Sequence, residues 1–213
     1  MSGRYAFTLS SEAIRQLFGV IGGEWAEPRI NLSPSSINPV IRMKDGAREL
    51  VPMRWGLRPF WWDPAKTKNQ PFNAPAEEIA SKPFFRDAFK HRRCVVPATA
   101  YYEWDRSGKP PKPYRLTVDG GAPFCFAGLW ERWKSQEGEV METYTIVTTQ
   151  ANKLVRNWYN RMPVILDREE IDNWLAQSDR MLLEAMLDPF PAHRMDAEAV
   201  SARLNNSAYE GPV

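Results

Sequence analysis

The run Arg93-Cys94-Val95-Val96-Pro97-Ala98-Thr99-Ala100-Tyr101-Tyr102-Glu103-Trp104 decides the fold class. Its apolar pieces, Cys94-Val95-Val96 and Tyr101-Tyr102-Glu103-Trp104, are β-branched and aromatic and too short for helices, so each reads as a strand. Downstream, residues 114–118 and 124–129 are two more strands, and the intervening Asp119-Gly120-Gly121 predicts that they pair as a hairpin. Residues 144–148 form another strand. Upstream, the chain between Ile30 and Pro64 is rich in proline and serine, and its β-prone pieces at 40–43 and 50–53 predict strands joined by irregular loops.

Helices fall between these strands. Ser10 is placed to cap a helix whose apolar stripe is Ala13, Ile14, Leu17 and Phe18 and which stops near Gly19. Helical spacing returns at Phe84, Phe85 and Phe89. Asp167 with Glu170 has the form of a capping box opening a helix through Ile171, Trp174 and Leu175, and Ser178 is placed to cap one more. Strands and helices mix without βαβ alternation, which predicts an α+β fold with mixed and antiparallel strands in a barrel-like sheet surrounded by short helices. One domain over residues 1–213 accounts for the length, and the tail beyond Asn205 is expected to be loose.

Composition narrows the function classes. Lys+Arg 28 against Asp+Glu 26 gives a net charge of +2, so a nucleic-acid partner has to be met by a local basic patch. The two cysteines, Cys94 and Cys125, are far apart and lack metal-ligand spacing, which predicts a reduced protein with no metal and no cofactor. No apolar run is long enough for a membrane span, and no leader pattern opens the chain, so a cytoplasmic location is expected; the protein is separately expected to be a monomer. Nine tryptophans are unusual; most suit a core, and the remainder suit stacking on bases, at roughly 1–3 kcal/mol per base.

Standard signatures for nucleotide, metal and serine-hydrolase sites are missing, so the chemistry has to be read from isolated residues. Ser2 is small enough for Met1 to be removed, which exposes an α-amine of reference pKa near 7.7–8.0, about a tenth of it neutral at pH 7. A nearby cation such as Arg4 favours the neutral amine further. An ordinary flexible terminus is the alternative. Glu103, flanked by aromatics, is either a surface carboxylate or a desolvated acid/base. Asn73 is either a turn residue or a fixed amide for substrate. Arg161 is either a surface charge or a phosphate contact.

Read together, Gly3-Arg4-Tyr5, Asn31-Leu32-Ser33-Pro34, Trp55-Gly56 with Trp61-Trp62, Phe72-Asn73-Ala74 with Glu77, and Arg93 to Pro97 resemble, in order, the SOS-response-associated peptidase (SRAP) family. The likeness continues through Tyr102-Glu103-Trp104, Ala127-Gly128-Leu129-Trp130, Thr145 to Thr149 with Ala151-Asn152, and Arg161 to Leu166. It implies an α+β fold with a basic cleft for single-stranded DNA. In the family an N-terminal amine forms a Schiff base with the aldehyde of an abasic site, and the adjacent thiol closes a thiazolidine. By position, Ser2 would be the nucleophile, Asn73 would hold the sugar or the N-terminus, and Glu103 would be the acid/base. Arg4 and Arg161 would contact phosphate, while Asn31, Pro34, Trp62 and Trp104 would line the DNA groove.

Three positions depart from the family pattern. Ser2 replaces cysteine, so only an oxazolidine can close. Tyr159 stands where histidine is usual, and a phenol of pKa near 10 is a poor base at neutral pH. Pro75 replaces an arginine. These differences imply a divergent member, of phage or duplicated origin, whose crosslinking and lyase chemistry is weakened, and retention of Met1 would block it. A non-covalent DNA-shielding module is the first rival. A serine peptidase or amidase using His91 as base is the second, though Lys90-His91-Arg92-Arg93 reads more easily as a basic surface segment.

Overall fold

The computed structural model describes residues 3–23 and 28–212. In chain order the strands are β1 (Tyr5–Phe7), β2 (Val20–Ile21), β3 (Arg29–Leu32), β4 (Ile37–Lys44), β5 (Ala47–Trp55), β6 (Asn73–Pro75), β7 (Arg93–Ala98) and β8 (Ala100–Asp105). They continue with β9 (Lys112–Val118), β10 (Phe124–Lys134), β11 (Val140–Gln150), β12 (Arg161–Pro163), β13 (Ile165–Leu166) and β14 (Met195–Ala199). The helices are α1 (Ser11–Phe18), α2 (Arg86–His91), α3 (Glu170–Ala176) and α4 (Arg180–Ala185).

The larger sheet runs β12-β11-β10-β7-β4-β5-β2. It closes on itself because β5 also pairs with β11 in parallel, Thr143 opposite Arg54 and Tyr144 opposite Trp55. The closed part, β11-β10-β7-β4-β5, is a five-stranded barrel, which leaves no free edge within the ring. Just beyond, β6 takes over from β5 alongside β11, with Asn73 opposite Ile146. A smaller sheet, β14-β9-β8-β1-β3, lies beside the barrel. Gly128 of β10 shows how tightly the ring is packed. A Cβ there would lie 2.9 Å from Cys94 Sγ and 3.2 Å from Thr145 O.

The fold is α+β, with a barrel-like mixed sheet and short helices around it. Aromatic rings fill the contact between the two sheets. Tyr5 of β1 meets Trp55 edge-on at 5.3 Å, Trp55 stacks on Tyr144 at 6.1 Å, and Phe126 packs against Tyr5 at 5.8 Å. A chain of hydrogen bonds threads this core. The Tyr5 and Tyr144 hydroxyls are 2.9 Å apart, Asn38 Nδ2 donates to Tyr144 Oη at 2.7 Å, and Ser36 Oγ lies 3.0 Å from Asn38 Oδ1. Each buried polar group on this path thereby has a partner, as a buried group requires.

Several local expectations hold. Ser10 caps α1, its Oγ accepting from Ala13 N at 3.2 Å, and Gly19 ends the helix at φ 61°. Both cysteines are free and buried, and burial pushes their thiols up.

Five expectations are corrected. Residues 114–118 and 124–129 do not form a hairpin. β9 pairs with β8 and β14, while β10 belongs to the barrel. Asp119, Gly120 and Gly121 adopt φ of 46°, 69° and 93°, and this left-handed run, with Asp119 held by Arg194 at 2.7 Å, sends the chain from one sheet to the other. Segments 40–43 and 50–53 belong to one long hairpin closed by Asp45-Gly46, φ 50° and 80°, rather than to strands with irregular loops between them. Only half of the capping box forms. Glu170 Oε2 accepts from Asp167 N at 2.8 Å, but the Asp167 carboxylate is taken by Arg194 and α3 starts later. For α4 the cap is Asp179, accepting from Met181 N, not Ser178. The tail beyond Asn205 is also pinned rather than loose, as the site geometry makes clear.

Candidate nucleic-acid interface

The site is built around the direction in which the chain enters β1. Tyr5 pairs with Tyr101 and Ala6 with Ala100, and Tyr102 N donates to Arg4 O at 3.1 Å. Continuing that antiparallel register sets Gly3 opposite Glu103. Ser2 and Met1 lie outside the described residues. Alternation along β8 turns Tyr101 and Glu103 to the inner face, and Tyr102 and Trp104 to the outer face. Glu103 is 4% exposed, so it is not the surface carboxylate that its isolated sequence reading allowed. Its charge raises the pKa of the fully buried Tyr101 hydroxyl, after the larger effect of desolvation.

On the outer face Arg4 and Trp104 meet, with the guanidinium carbon 5.8 Å from the ring centroid. Beside them opens a cavity of about 700 Å³, lined by Gly3, Arg4, Trp104, Arg106, Lys109 and Pro110 among others. None of its lining residues is acidic. Three cations thus surround one half-buried tryptophan, with no carboxylate among the lining residues, a chemistry that suits anions and flat rings. Lys112, from the same hairpin, lies 5.4 Å over the Tyr114 ring.

A second wall approaches from the segment before β12. Tyr114, which pairs with Glu103, packs against Trp158 at 4.7 Å, so Tyr159 follows directly on a contact with Glu103's neighbour. Tyr159 is half-buried, its N–H given to Val155 O at 3.1 Å. Arg161 is clamped. It donates to both oxygens of Glu77, at 2.7 and 2.9 Å, and to Thr148 O at 2.7 Å. Opposite Thr148 sits Pro75 of β6, so Arg161 braces the strand that carries Asn73. The guanidinium holds the Glu77 carboxyl below its usual range. Asn73 is 8% exposed, on β6, and is not the turn residue its isolated sequence reading allowed.

Two residues expected to line the groove do not face it. Asn31 is fully buried: its Nδ2 donates to Asn206 O at 2.9 Å and Tyr209 O at 3.0 Å, and its Oδ1 accepts from Arg4 Nη1 at 2.7 Å. With those bonds made it ties the two ends of the chain together. Trp62 is 6% exposed, its Nε1 given to Asn69 O and its ring packed against Trp133 and Arg58, so it cannot stack a base; its neighbours Phe60 and Trp61 are exposed. Pro34 is half-buried at the corner of a turn in which Ser36 N donates to Ser33 O at 3.2 Å and Ser35 takes φ 74°. His91 ends α2 exposed to solvent. The sequence reading missed Trp158 and Arg106; an aromatic pair at 158–159 and a basic hairpin tip were the available signals.

Among the described residues, no group of three or more histidine, cysteine, aspartate or glutamate side chains could hold a metal, and no helix is long and apolar enough to cross a membrane. The profile of the family described as SOS response associated peptidase (SRAP) matches residues 1–207, so the chain belongs to that family. Among individual proteins, the chain is 35% identical over 220 residues to the abasic site processing protein YoqW of Bacillus subtilis (strain 168), covering 100% of this chain and 97% of that one. It is 29% identical over 258 residues to the abasic site processing protein HMCES of Xenopus tropicalis, covering 100% of this chain and 77% of that one. A crystal structure of a Bacteroides thetaiotaomicron protein superposes with a TM-score of 0.86 at 29% identity, covering 93% and 92% of the two chains.

Proposed function

We propose that this protein binds single-stranded DNA and senses abasic sites through its N-terminal amine, without the durable crosslink that a thiol would give. The observation that carries this reading is the β1–β8 register, which brings the start of the chain alongside β8, with the buried Glu103 on one face of that strand and a cavity rimmed by Arg4, Arg106 and Lys109 on the other. The names of the relatives, abasic site processing proteins, point the same way.

In this reading the DNA backbone follows the cations, and a base flanking the lesion stacks on Trp104. Glu103 assists opening of the deoxyribose ring, giving a proton to the ring oxygen. The neutral Ser2 amine, freed by removal of Met1, attacks the C1′ aldehyde, and loss of water leaves an imine. The Ser2 hydroxyl adds to the imine carbon and its proton passes to nitrogen, closing an oxazolidine that reopens in water. Asn73, held on β6 by the Arg161 brace, orients the sugar. Tyr159 donates a hydrogen bond to the sugar. Loss of a C2′ proton from the imine with departure of the 3′-phosphate gives a slow lyase side reaction.

Borohydride, which reduces an imine to a stable amine, tests the proposal. Protein confirmed by mass spectrometry to start at Ser2, mixed with an abasic oligonucleotide, is expected to yield an adduct only when borohydride is present. Ser2→Cys is expected to yield an adduct without it. No adduct in the parent under reduction, with one gained in Ser2→Cys, means a competent cleft lacking its nucleophile; none in either leaves the non-covalent reading. The absence of a thiol favours that second reading, a DNA-shielding module, which predicts affinity falling steeply with salt and indifferent to Glu103→Gln.

A further inference from the structure

The last described residues cross the molecule at one place, and three separate elements hold them there. Glu210 accepts from Arg29 Nε and Nη2, at 3.0 and 2.8 Å, and from Ile30 N at 2.9 Å, so its carboxylate satisfies the edge of β3. Asn206 O and Tyr209 O take both donors of the fully buried Asn31. Asn205 accepts from Trp104 Nε1 at 2.7 Å and donates to Pro111 O at 3.1 Å, binding the β8–β9 hairpin. Leu204 O accepts from Arg4 Nη1 at 3.2 Å, and Leu204 itself is buried against Ala6, Ala100 and Tyr102.

Arg4 is the point where these contacts converge. Its guanidinium is shared between Asn31 and Leu204 O and lies over Trp104, and its carbonyl accepts from Tyr102 N. Among the described residues, the side-chain partners of Arg4 therefore either belong to the terminal segment or are bonded to it. Released from that segment, Asn31 would keep two buried donors without acceptors, and Arg4 would lose a carbonyl and a fixed aromatic face. Such a loss loosens the residue that adjoins Gly3. The family match ends at residue 207, so Tyr209 and Glu210 lie beyond it.

We infer that the segment from Leu204 to Glu210 is a strap that positions the start of the chain against β8, with Glu210 as the positioning residue that holds it closed. The inference rests on the reading of the chain start as the reactive end, and it adds that the reactive geometry is set from the opposite terminus. Glu210 acts through Arg29, Asn31 and Arg4 and touches no DNA.

Two readouts on Glu210→Ala test this, with Glu210→Gln as the conservative variant that keeps an acceptor for Arg29 and Ile30. Hydrogen exchange at the Tyr102 amide, the donor to Arg4 O, is expected to quicken at least tenfold in Glu210→Ala and to return most of the way in Glu210→Gln, with the barrel amides of β7 and β10 unchanged. The rate of borohydride-trapped adduct formation at saturating abasic DNA is expected to fall at least fivefold in Glu210→Ala and to recover in Glu210→Gln, with the melting temperature held. Unchanged exchange at Tyr102 overturns the inference, as does faster exchange with an unaltered trapping rate. If the parent forms no adduct, the amine chemistry fails, and the exchange measurement alone decides the strap; a chain ending at Asn206 must then reproduce the Glu210→Ala pattern.

Discussion

Glu103→Gln is expected to slow borohydride-trapped adduct formation by about a hundredfold, while affinity for undamaged single-stranded DNA stays unchanged. Glutamine has the shape of glutamate and preserves the 4% exposure and the pairing of residue 103 with Tyr114. It cannot donate or accept a proton in step with ring opening, and positioned acid–base groups contribute about 10²–10⁴ in rate. Single-turnover trapping at saturating DNA reads the step directly. An undiminished rate would remove Glu103 from the chemistry and leave it as a buried structural acid. A parallel loss of DNA affinity would mean that the substitution had disturbed the cleft, and Trp104 fluorescence checks that case.

Arg93→Met is expected to have the largest effect on stability. Arg93 is 8% exposed and its guanidinium gathers the carbonyls that end two helices: Nη1 donates to Phe89 O at 2.6 Å and Lys90 O at 3.1 Å, Nε to Trp174 O at 2.6 Å, and Nη2 to Gln177 O. Carbonyls at helix ends lack intrahelical partners, and a cation there also meets the negative end of each helix. Methionine fills similar volume but takes the guanidinium away from four carbonyls, those of Phe89 and Trp174 in buried bonds, which costs about 3–5 kcal/mol. For a chain of this size that lowers the melting temperature by about 10 °C. Calorimetry or thermal circular dichroism measures it, and a drop of only a degree or two would show that water replaces the guanidinium freely.

Much of this architecture is legible in the chain because it follows local pattern. Ser10, the stripe from Ala13 to Phe18 and Gly19 define α1 without reference to anything distant. The β-branched run at 94–96 and the aromatic run at 101–104 are strands because little else suits them. What local pattern cannot supply is which strand pairs with which. The turn at Asp119-Gly120-Gly121 has hairpin composition, yet Arg194, far along the chain, anchors it and turns it into a bridge between sheets. Closure of the barrel depends on Arg54 and Trp55 meeting Thr143 and Tyr144, a parallel contact that no spacing announces.

The candidate site divides the same way. Resemblance nominated Arg4, Glu103 and Trp104, and the structure brings Arg4 and Trp104 together from neighbouring chain segments while Glu103 lies next to Trp104 in β8 with its side chain on the other face. It misassigned Asn31 and Trp62, whose burial depends on partners remote in sequence: Asn206 and Tyr209 for one, Trp133 for the other. A residue type shared with a family says what a position holds; exposure to a ligand is settled by what packs over it.

The meeting of Arg4 with Leu204 has a practical side. A bulky label placed on Arg4's neighbours or on the segment from Leu204 to Glu210 would crowd the same face, and one attached ahead of Ser2 would also acylate the amine under test. The exposed turn at residues 136–138, closed by Ser135 N donating to Glu139 O at 2.8 Å between β10 and β11, offers an internal attachment point that leaves both ends untouched.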